Sequence, residues 1–146
     1  MLRPVLLEDG FAVAPQLVAE DFSGLALMGF RTVVNNRPDG EVAGQLPDVA
    51  AGRAARAAGL DYHFLPVANA VVTDPAIVLR FAHLIGAVPR PILAYCRSGT
   101  RCTLLWAQAR AGAIGPAAAL GIGRGAGFDM AALRRAPGFR EVYGER

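Results

Sequence analysis

The chain has 146 residues, 53% of them apolar, and a formal net charge of +3 at pH 7. That length and composition suit one domain with a buried core and exclude a disordered chain. No apolar run approaches the roughly 20 residues that span a bilayer. Two cysteines are too few for a disulfide framework, and the spacing of the cysteines and the two histidines offers no zinc site.

The basic excess suits anionic ligands. The arginines are scattered, and no Lys/Arg run interleaved with aromatics is present. Arg124, Arg134, Arg135, Arg140 and Arg146 make the C-terminal end basic, which reads as a solvated surface rather than a nucleic-acid patch. The apolar patch of Met1–Asp9 is broken by Glu8 and Asp9, and no small-residue cleavage site follows, so no signal peptide is expected. A cytoplasmic location, without membrane or nucleic-acid partners, is the resulting expectation.

The first predicted element is a strand over Phe11–Ala14, ended by Pro15. Val18, Phe22, Leu25 and Met28 share one face of a helix over 18–28, closed by Gly29. A strand over Phe30–Val34 follows, then a loop over Asn35–Gly40. Pro47 opens a helix that runs to Ala58, with Gly59 after it. Tyr62–Leu65 is a strand and Pro66–Thr73 a loop. Asp74-Pro75 is a strong helix start, and that helix runs to about Gly86. The continuous apolar run Pro91–Tyr95 has the length and character of a central parallel strand. A helix from about Thr100 through Ala111 is ended by Gly112, and two short helices are predicted near 116–122 and 129–135. Alternating strands and helices predict a single α/β domain over 1–146, with a mostly parallel central sheet flanked by helices.

The chemistry concentrates after the apolar strand, at Cys96-Arg97-Ser98-Gly99-Thr100-Arg101. A residue at the C-terminal end of a central parallel strand sits where open α/β sheets bind ligands. A turn of successive backbone N–H groups leading into a helix N-terminus forms an anion nest. Arg97, Ser98, Gly99 and Thr100 supply that nest, and Arg101 can add a bidentate fork for an oxyanion. The same field favours the thiolate of Cys96 and makes it a candidate nucleophile.

The chain resembles the phosphatase-like domain family of the beta-lactamase-hydrolase-like proteins, related to protein tyrosine and dual-specificity phosphatases. The stretches that carry the resemblance are Val13–Leu17, Gly29–Glu41 with its Asn-Asn-Arg-Pro-Asp-Gly-Glu run, Ala58–Tyr62 with Leu65–Val67, Leu93–Arg101 with Leu105-Trp106, and Ala126–Asp129. The resemblance implies a protein tyrosine phosphatase-like fold, Cys96 as nucleophile and Arg101 as anion ligand. It also suggests that Arg37, on the loop after a parallel strand, faces the site. Asp39 and Glu41 sit nearby and could orient Arg37 or cap its loop.

Two departures bear on the reaction. Phosphatases of this kind place five residues between cysteine and arginine. Here there are four, Arg97 to Thr100, which is the loop length of rhodanese-type sulfurtransferases. Phosphatases also carry an acidic residue on the loop after the preceding strand, to protonate the leaving oxygen. That loop reads Pro66-Val67-Ala68-Asn69-Ala70, and the nearest candidate acid is Asp74, which also reads as a helix cap. Cys102 stands where phosphatases have a hydroxyl that supports the thiolate, with Thr103 next in line. Cys102 reads first as a simple small replacement; the functional readings are a resolving thiol that forms a disulfide with Cys96, or a persulfide acceptor.

The leading expectation is therefore a cysteine-dependent phosphatase acting on a small anionic or phosphorylated substrate. The alternative is a sulfurtransferase that takes sulfane sulfur from a donor as a Cys96 persulfide and passes it to a thiol acceptor. A non-catalytic anion-binding module comes last. No metal or organic cofactor is implied. His63, His83 and Trp106 read as structural. The glycines of 121–127 fail the context of a nucleotide loop, because no strand precedes them and no Lys-Ser/Thr follows; they read as a loosely helical or irregular connection.

Overall fold

The computed structural model describes residues 2–144; Met1, Glu145 and Arg146 lie outside the described residues. Five strands form one sheet in the order β1-β2-β5-β3-β4. They are β1 (Val5–Glu8), β2 (Phe11–Ala14), β3 (Thr32–Asn35), β4 (Asp61–Phe64) and β5 (Ile92–Tyr95). Only β1 runs antiparallel, against β2. The pairs β2–β5, β3–β5 and β3–β4 are parallel. The fold is thus the single α/β domain with a mostly parallel sheet that the alternation of elements predicts. β1 is an addition to that prediction. It pairs with β2 by a tight return through Gly10, whose φ is +79°.

Side-chain alternation along the strands builds two cores. Phe11, Val13, Val34, Ile92, Ala94 and Cys96 face one side of the sheet, where they meet Phe81, Leu104, Leu105, Trp106 and Leu120. Ala12, Ala14, Val33, Leu93 and Tyr95 face the other, against Phe22, Leu25, Ala51 and Ala55. The first face is covered by α3 (Pro75–Ala87), α4 (Thr100–Ile114) and α5 (Pro116–Gly125). The second is covered by α1 (Asp21–Leu27) and α2 (Asp48–Ala57). β5 is the central strand and is buried throughout, which explains its unbroken apolar sequence.

Three helical expectations change. α1 starts at Asp21 rather than Val18. The Asp21 carboxylate accepts the Val18 N–H at 2.8 Å, so 18–21 is a turn and Val18 stays 55% exposed. α4 passes through Gly112 and ends at Gly115, whose φ is +90°. A mid-helix glycine costs about 1 kcal/mol, which the packing of α4 along the sheet outweighs. The segment near 129–135 is a 3-10 turn over Ala131–Arg135.

The glycine-rich 121–127 stretch is helical as far as Gly125. A Cβ on Gly123 would come within 2.5 Å of Met130 Cε, so this glycine lets the tail segment pack closely. Among the described residues, no helix is long and apolar enough to cross a membrane.

Candidate active site

The C-terminal ends of β2, β5 and β3 lie side by side, so the segments that leave them meet above the middle of the sheet. The segment after β5 is the Cys96 loop. Cys96 is buried, and by alternation it faces α3 and α4. Gly99 adopts φ +93°, a conformation that costs a residue with a Cβ roughly 1–2 kcal/mol. A Cβ there would also meet Phe128 Cε1 at 3.1 Å. This turn brings the Gly99 N–H to the Cys96 sulfur at 3.1 Å. The Thr103 hydroxyl and N–H both donate to the Gly99 carbonyl, at 2.9 and 3.1 Å. Thr103 therefore props the loop. Ser98 donates to the Thr100 hydroxyl at 3.0 Å, while Arg97 is exposed.

The thiol that supports Cys96 is Cys102. Its thiol and its backbone N–H both favour the charged form of Cys96. The Cys102 Sγ also lies 3.3 Å from Asn36 Oδ1. One thiol hydrogen cannot serve both acceptors, and a thiolate is the stronger one. The Asn36 contact therefore belongs to the neutral state of Cys96. Cys96 is held down at about 6 by the Cys102 thiol first, then by the Cys102 and Gly99 N–H groups and the Arg101 charge, all acting against burial. Burial, together with the neighbouring sulfur, pushes Cys102 well above its ordinary value. Cys96 is thus the cysteine favoured as an anion, and Cys102 the one that stays a thiol.

Arg101 is 3% exposed and tightly held. Its Nη1 and Nη2 donate to Glu41 Oε2 and Oε1, both at 2.8 Å, and Nη1 also donates to the Val67 carbonyl at 3.0 Å. A guanidinium has five N–H donors. The remaining fork, Nε–H with the second Nη2–H, has no protein partner among the described residues. Glu41 also accepts from Arg37 Nε at 2.9 Å, so a single carboxylate joins both arginines. Hydrogen bonding from Arg101, then from Arg37, holds Glu41 down at about 2 despite some burial.

Arg37 is 3% exposed. It donates Nη1 to Gln16 Oε1 at 3.0 Å and leaves Nη2 buried without a partner. The Gln16 N–H in turn donates to the Arg97 carbonyl at 3.1 Å. The loops after β2, β3 and β5 are therefore tied together.

The sequence brought Cys96, Arg101, Arg37, Cys102 and the 97–100 loop to one place, and the structure joins them. Asp74 is elsewhere in its bonding: it is exposed and accepts the Ala76 N–H at 2.9 Å as the cap of α3. Sequence reasoning noted Glu41 only as a possible support for Arg37, and it missed Asn36 and Gln16. Asn36 had a usable signal. It follows a strand next to the one that ends at Cys96, and the pleat directs Asn35 and Asn36 to opposite faces. Accordingly Asn35 Nδ2 donates to Tyr62 and Asn36 meets Cys102.

This geometry agrees with what the chain is similar to. Residues 3–113 match the phosphatase-like domain of beta-lactamase hydrolase-like proteins. The chain belongs to that family. It is 33% identical over 136 residues to a beta-lactamase hydrolase-like protein of Agrobacterium fabrum, covering 92% of this chain and 31% of that one. The chain thus spans less than a third of the length of this curated relative.

A candidate phosphatase from Neisseria meningitidis superposes with a TM-score of 0.78 at 34% identity, covering 89% of this chain and 92% of that one. Kinase-associated phosphatase, solved with its catalytic-site cysteine changed to serine, gives 0.74 at 14% identity over 100% of this chain and 97% of that one. Pseudomonas aeruginosa TpbA, solved in complex with pTyr, gives 0.62 at 19% identity, covering 91% and 93%. These last two likenesses establish the phosphatase fold alone.

Proposed function

We propose that this family member is a cysteine-dependent group-transfer enzyme, and that sulfur transfer from a small anionic donor is the reaction its site is best built for. The observation that carries this reading is the state of Glu41. It is the one carboxylate bonded to the loop arginine among the described residues, and two guanidiniums keep it ionised down to about 2. An alkoxide leaving a phosphate ester needs a proton donor near neutral pH, and Glu41 has no proton to give. Sulfite leaves a thiosulfate donor as a stable anion and needs none.

In this reading the donor's oxygens occupy the free fork of Arg101 and the N–H groups of the loop, where preorganised donors stabilise developing charge. The Cys96 thiolate attacks the outer sulfur of the donor. A new S–S bond forms to Cys96, the donor S–S bond breaks, and sulfite departs with the electron pair. An acceptor thiolate then takes the outer sulfur and restores the Cys96 thiolate. The proposed roles are Cys96 as nucleophile, Arg101 with the 97–100 loop as anion ligands, and Arg37 with Glu41 as positioning residues.

Phosphatase chemistry is the second reading. It is favoured by the likeness to the Neisseria candidate phosphatase across most of both chains. The same thiolate would attack phosphorus, and aryl phosphates, whose phenolate leaves easily, would be the first substrates to test.

The deciding experiment assays one preparation with thiosulfate plus cyanide and with an aryl phosphate, using Cys96→Ser as the blank. Thiocyanate formation with the higher kcat/KM, absent from Cys96→Ser, is the expected result. A higher kcat/KM for the aryl phosphate would overturn the sulfur-transfer reading in favour of the phosphatase.

A further inference from the structure

Cys102 is unusual for what surrounds it. It is buried, and it occupies the first turn of α4, three residues beyond Gly99, whose N–H meets the Cys96 sulfur at 3.1 Å. Both cysteines belong to the same buried cluster on the α3/α4 side of the sheet. Asn36 Oδ1 accepts the Cys102 thiol hydrogen at 3.3 Å, which holds this sulfur beside the loop rather than deeper in the core. A hydroxyl at this position would support the thiolate equally well and would be a better donor. A thiol differs from a hydroxyl in one chemical ability: it can form a bond to an oxidised sulfur.

We propose that Cys102 is a resolving thiol, so that oxidation of Cys96 by a hydroperoxide closes a reversible Cys96–Cys102 disulfide inside the active site. In the first step the Cys96 thiolate attacks the peroxide. An S–O bond forms, the O–O bond breaks, and the sulfur is oxidised to a sulfenic acid while the peroxide is reduced to an alcohol, or to water from hydrogen peroxide. In the second step the Cys102 sulfur attacks the Cys96 sulfur. The S–S bond forms, the S–O bond breaks, and the departing hydroxide leaves as water with the Cys102 proton.

Three features assist this second step. Asn36 Oδ1 holds the Cys102 sulfur in place at 3.3 Å. The Gly99 N–H and the Arg101 charge face the Cys96 side, where hydroxide departs. Both cysteines lie on the same loop-to-helix turn, so closure needs no rearrangement of distant segments. The disulfide removes the nucleophile without exposing it to irreversible sulfinic acid formation, and a dithiol restores both thiols by exchange. The device depends only on a thiolate at Cys96, whichever group that thiolate transfers.

The test exposes the full chain to excess hydrogen peroxide and reads intact mass, tryptic peptides and iodoacetamide labelling of Cys96. Trypsin cuts after Arg97 and Arg101, so the two cysteines fall on separate peptides. Expected are a monomer lighter by two hydrogens, a disulfide-linked pair of peptides containing Cys96 and Cys102, and labelling restored by dithiothreitol. Cys102→Ser and Cys102→Ala should gain two oxygens at Cys96 instead and stay unlabelled after dithiothreitol. Direct gain of two oxygens in the wild type would overturn the proposal. So would loss of two hydrogens in the Cys102 variants, which would assign the partner of the oxidised sulfur to the nearby Gly99 nitrogen. The wild-type peptide map decides the matter even if neither variant folds.

Discussion

Two segments leave the same edge of the sheet after parallel strands, and they are built in opposite ways. The segment after β5, residues 96–103, follows the central strand. Loops on both sides supply partners to it: Gln16 from beyond β2, Glu41 and Asn36 from beyond β3, and the Val67 carbonyl from beyond β4. The segment after β4, residues 65–74, follows an edge strand with neighbours on one side only. Its contribution to the site is backbone, and its one carboxylate, Asp74, is engaged as a helix cap. The central position makes a dense charged cradle possible, because buried charges need partners from several directions. The proposed nucleophile and anion ligand are built to that standard, and among the described residues the carboxylate bonded to Arg101 is the clamped Glu41.

The comparison is sharpened most by Arg101. Arg101→Lys keeps the charge but cannot hold Glu41 with one fork and an anion with the other. Any aryl phosphate turnover should fall by at least about a hundredfold, the scale of losing one preorganised donor, while sulfur transfer from thiosulfate should fall less. The measurement is kcat/KM for both substrates on the two proteins. Equal losses would mean that the cradle treats both anions alike.

Next in size is Glu41→Gln. It leaves both guanidiniums without their shared carboxylate, and turnover should drop roughly tenfold or more, because ångström-scale misplacement of a binding group can cost about a hundredfold. The loss should fall mainly on kcat, since Arg101 stays charged but swings. A loss confined to KM would show that Glu41 acts on ground-state affinity rather than on alignment.

A third test uses pH. Alkylation of Cys96 should rise through an inflection near 6, whereas Cys102→Ala should move it upward by removing the largest support of the thiolate. An inflection near the free-thiol value of about 8.5 would mean that Cys96 is not held as a thiolate. Stability follows the same shift. The folded-state value of Cys96 lies below its ordinary 9.0, so its contribution is present above that ordinary value and is lost as pH falls through 6. The melting temperature of the wild type relative to Cys96→Ala should therefore increase between those two pH values. For Glu41 the corresponding loss occurs only as pH falls from 4.5 toward 2.

Smaller effects test the frame around the site. Gly99→Ala should destabilise the fold by about 1–2 kcal/mol from the left-handed backbone alone, with a further cost from the Phe128 contact, as read by chemical denaturation. The smallest expected change is at Asp74. Asn caps a helix nearly as well as Asp, so Asp74→Asn should leave both turnover rates within about twofold. A hundredfold loss of aryl phosphate turnover, with the basic limb of its pH profile gone, would establish Asp74 as the general acid and restore the phosphatase reading.

Much of this was legible along the chain, because it depends on local rules. The apolar run Ile92–Tyr95 declared a central strand, Asp74-Pro75 declared a helix start, and the Cys96–Arg101 spacing declared an anion loop at a strand's end. Each signal lies within a few neighbouring residues, where backbone sterics, capping and side-chain period act. Other features are set by partners far apart in sequence, and no local pattern encodes them. β1 was read only as an apolar patch, because its strand identity comes from pairing with β2. The grip of Glu41 on Arg101 spans 60 residues. The contact of Asn36 with Cys102 spans 66. The sequence alone determined which residues are the candidates for the chemistry and which strand delivers them. The tertiary structure alone decided that Glu41 is a clamped anion rather than an acid, and that the Cys102 thiol meets Asn36. Both outcomes depend on how closely charges and donors approach one another, and that distance is set only when the sheet brings its loops together.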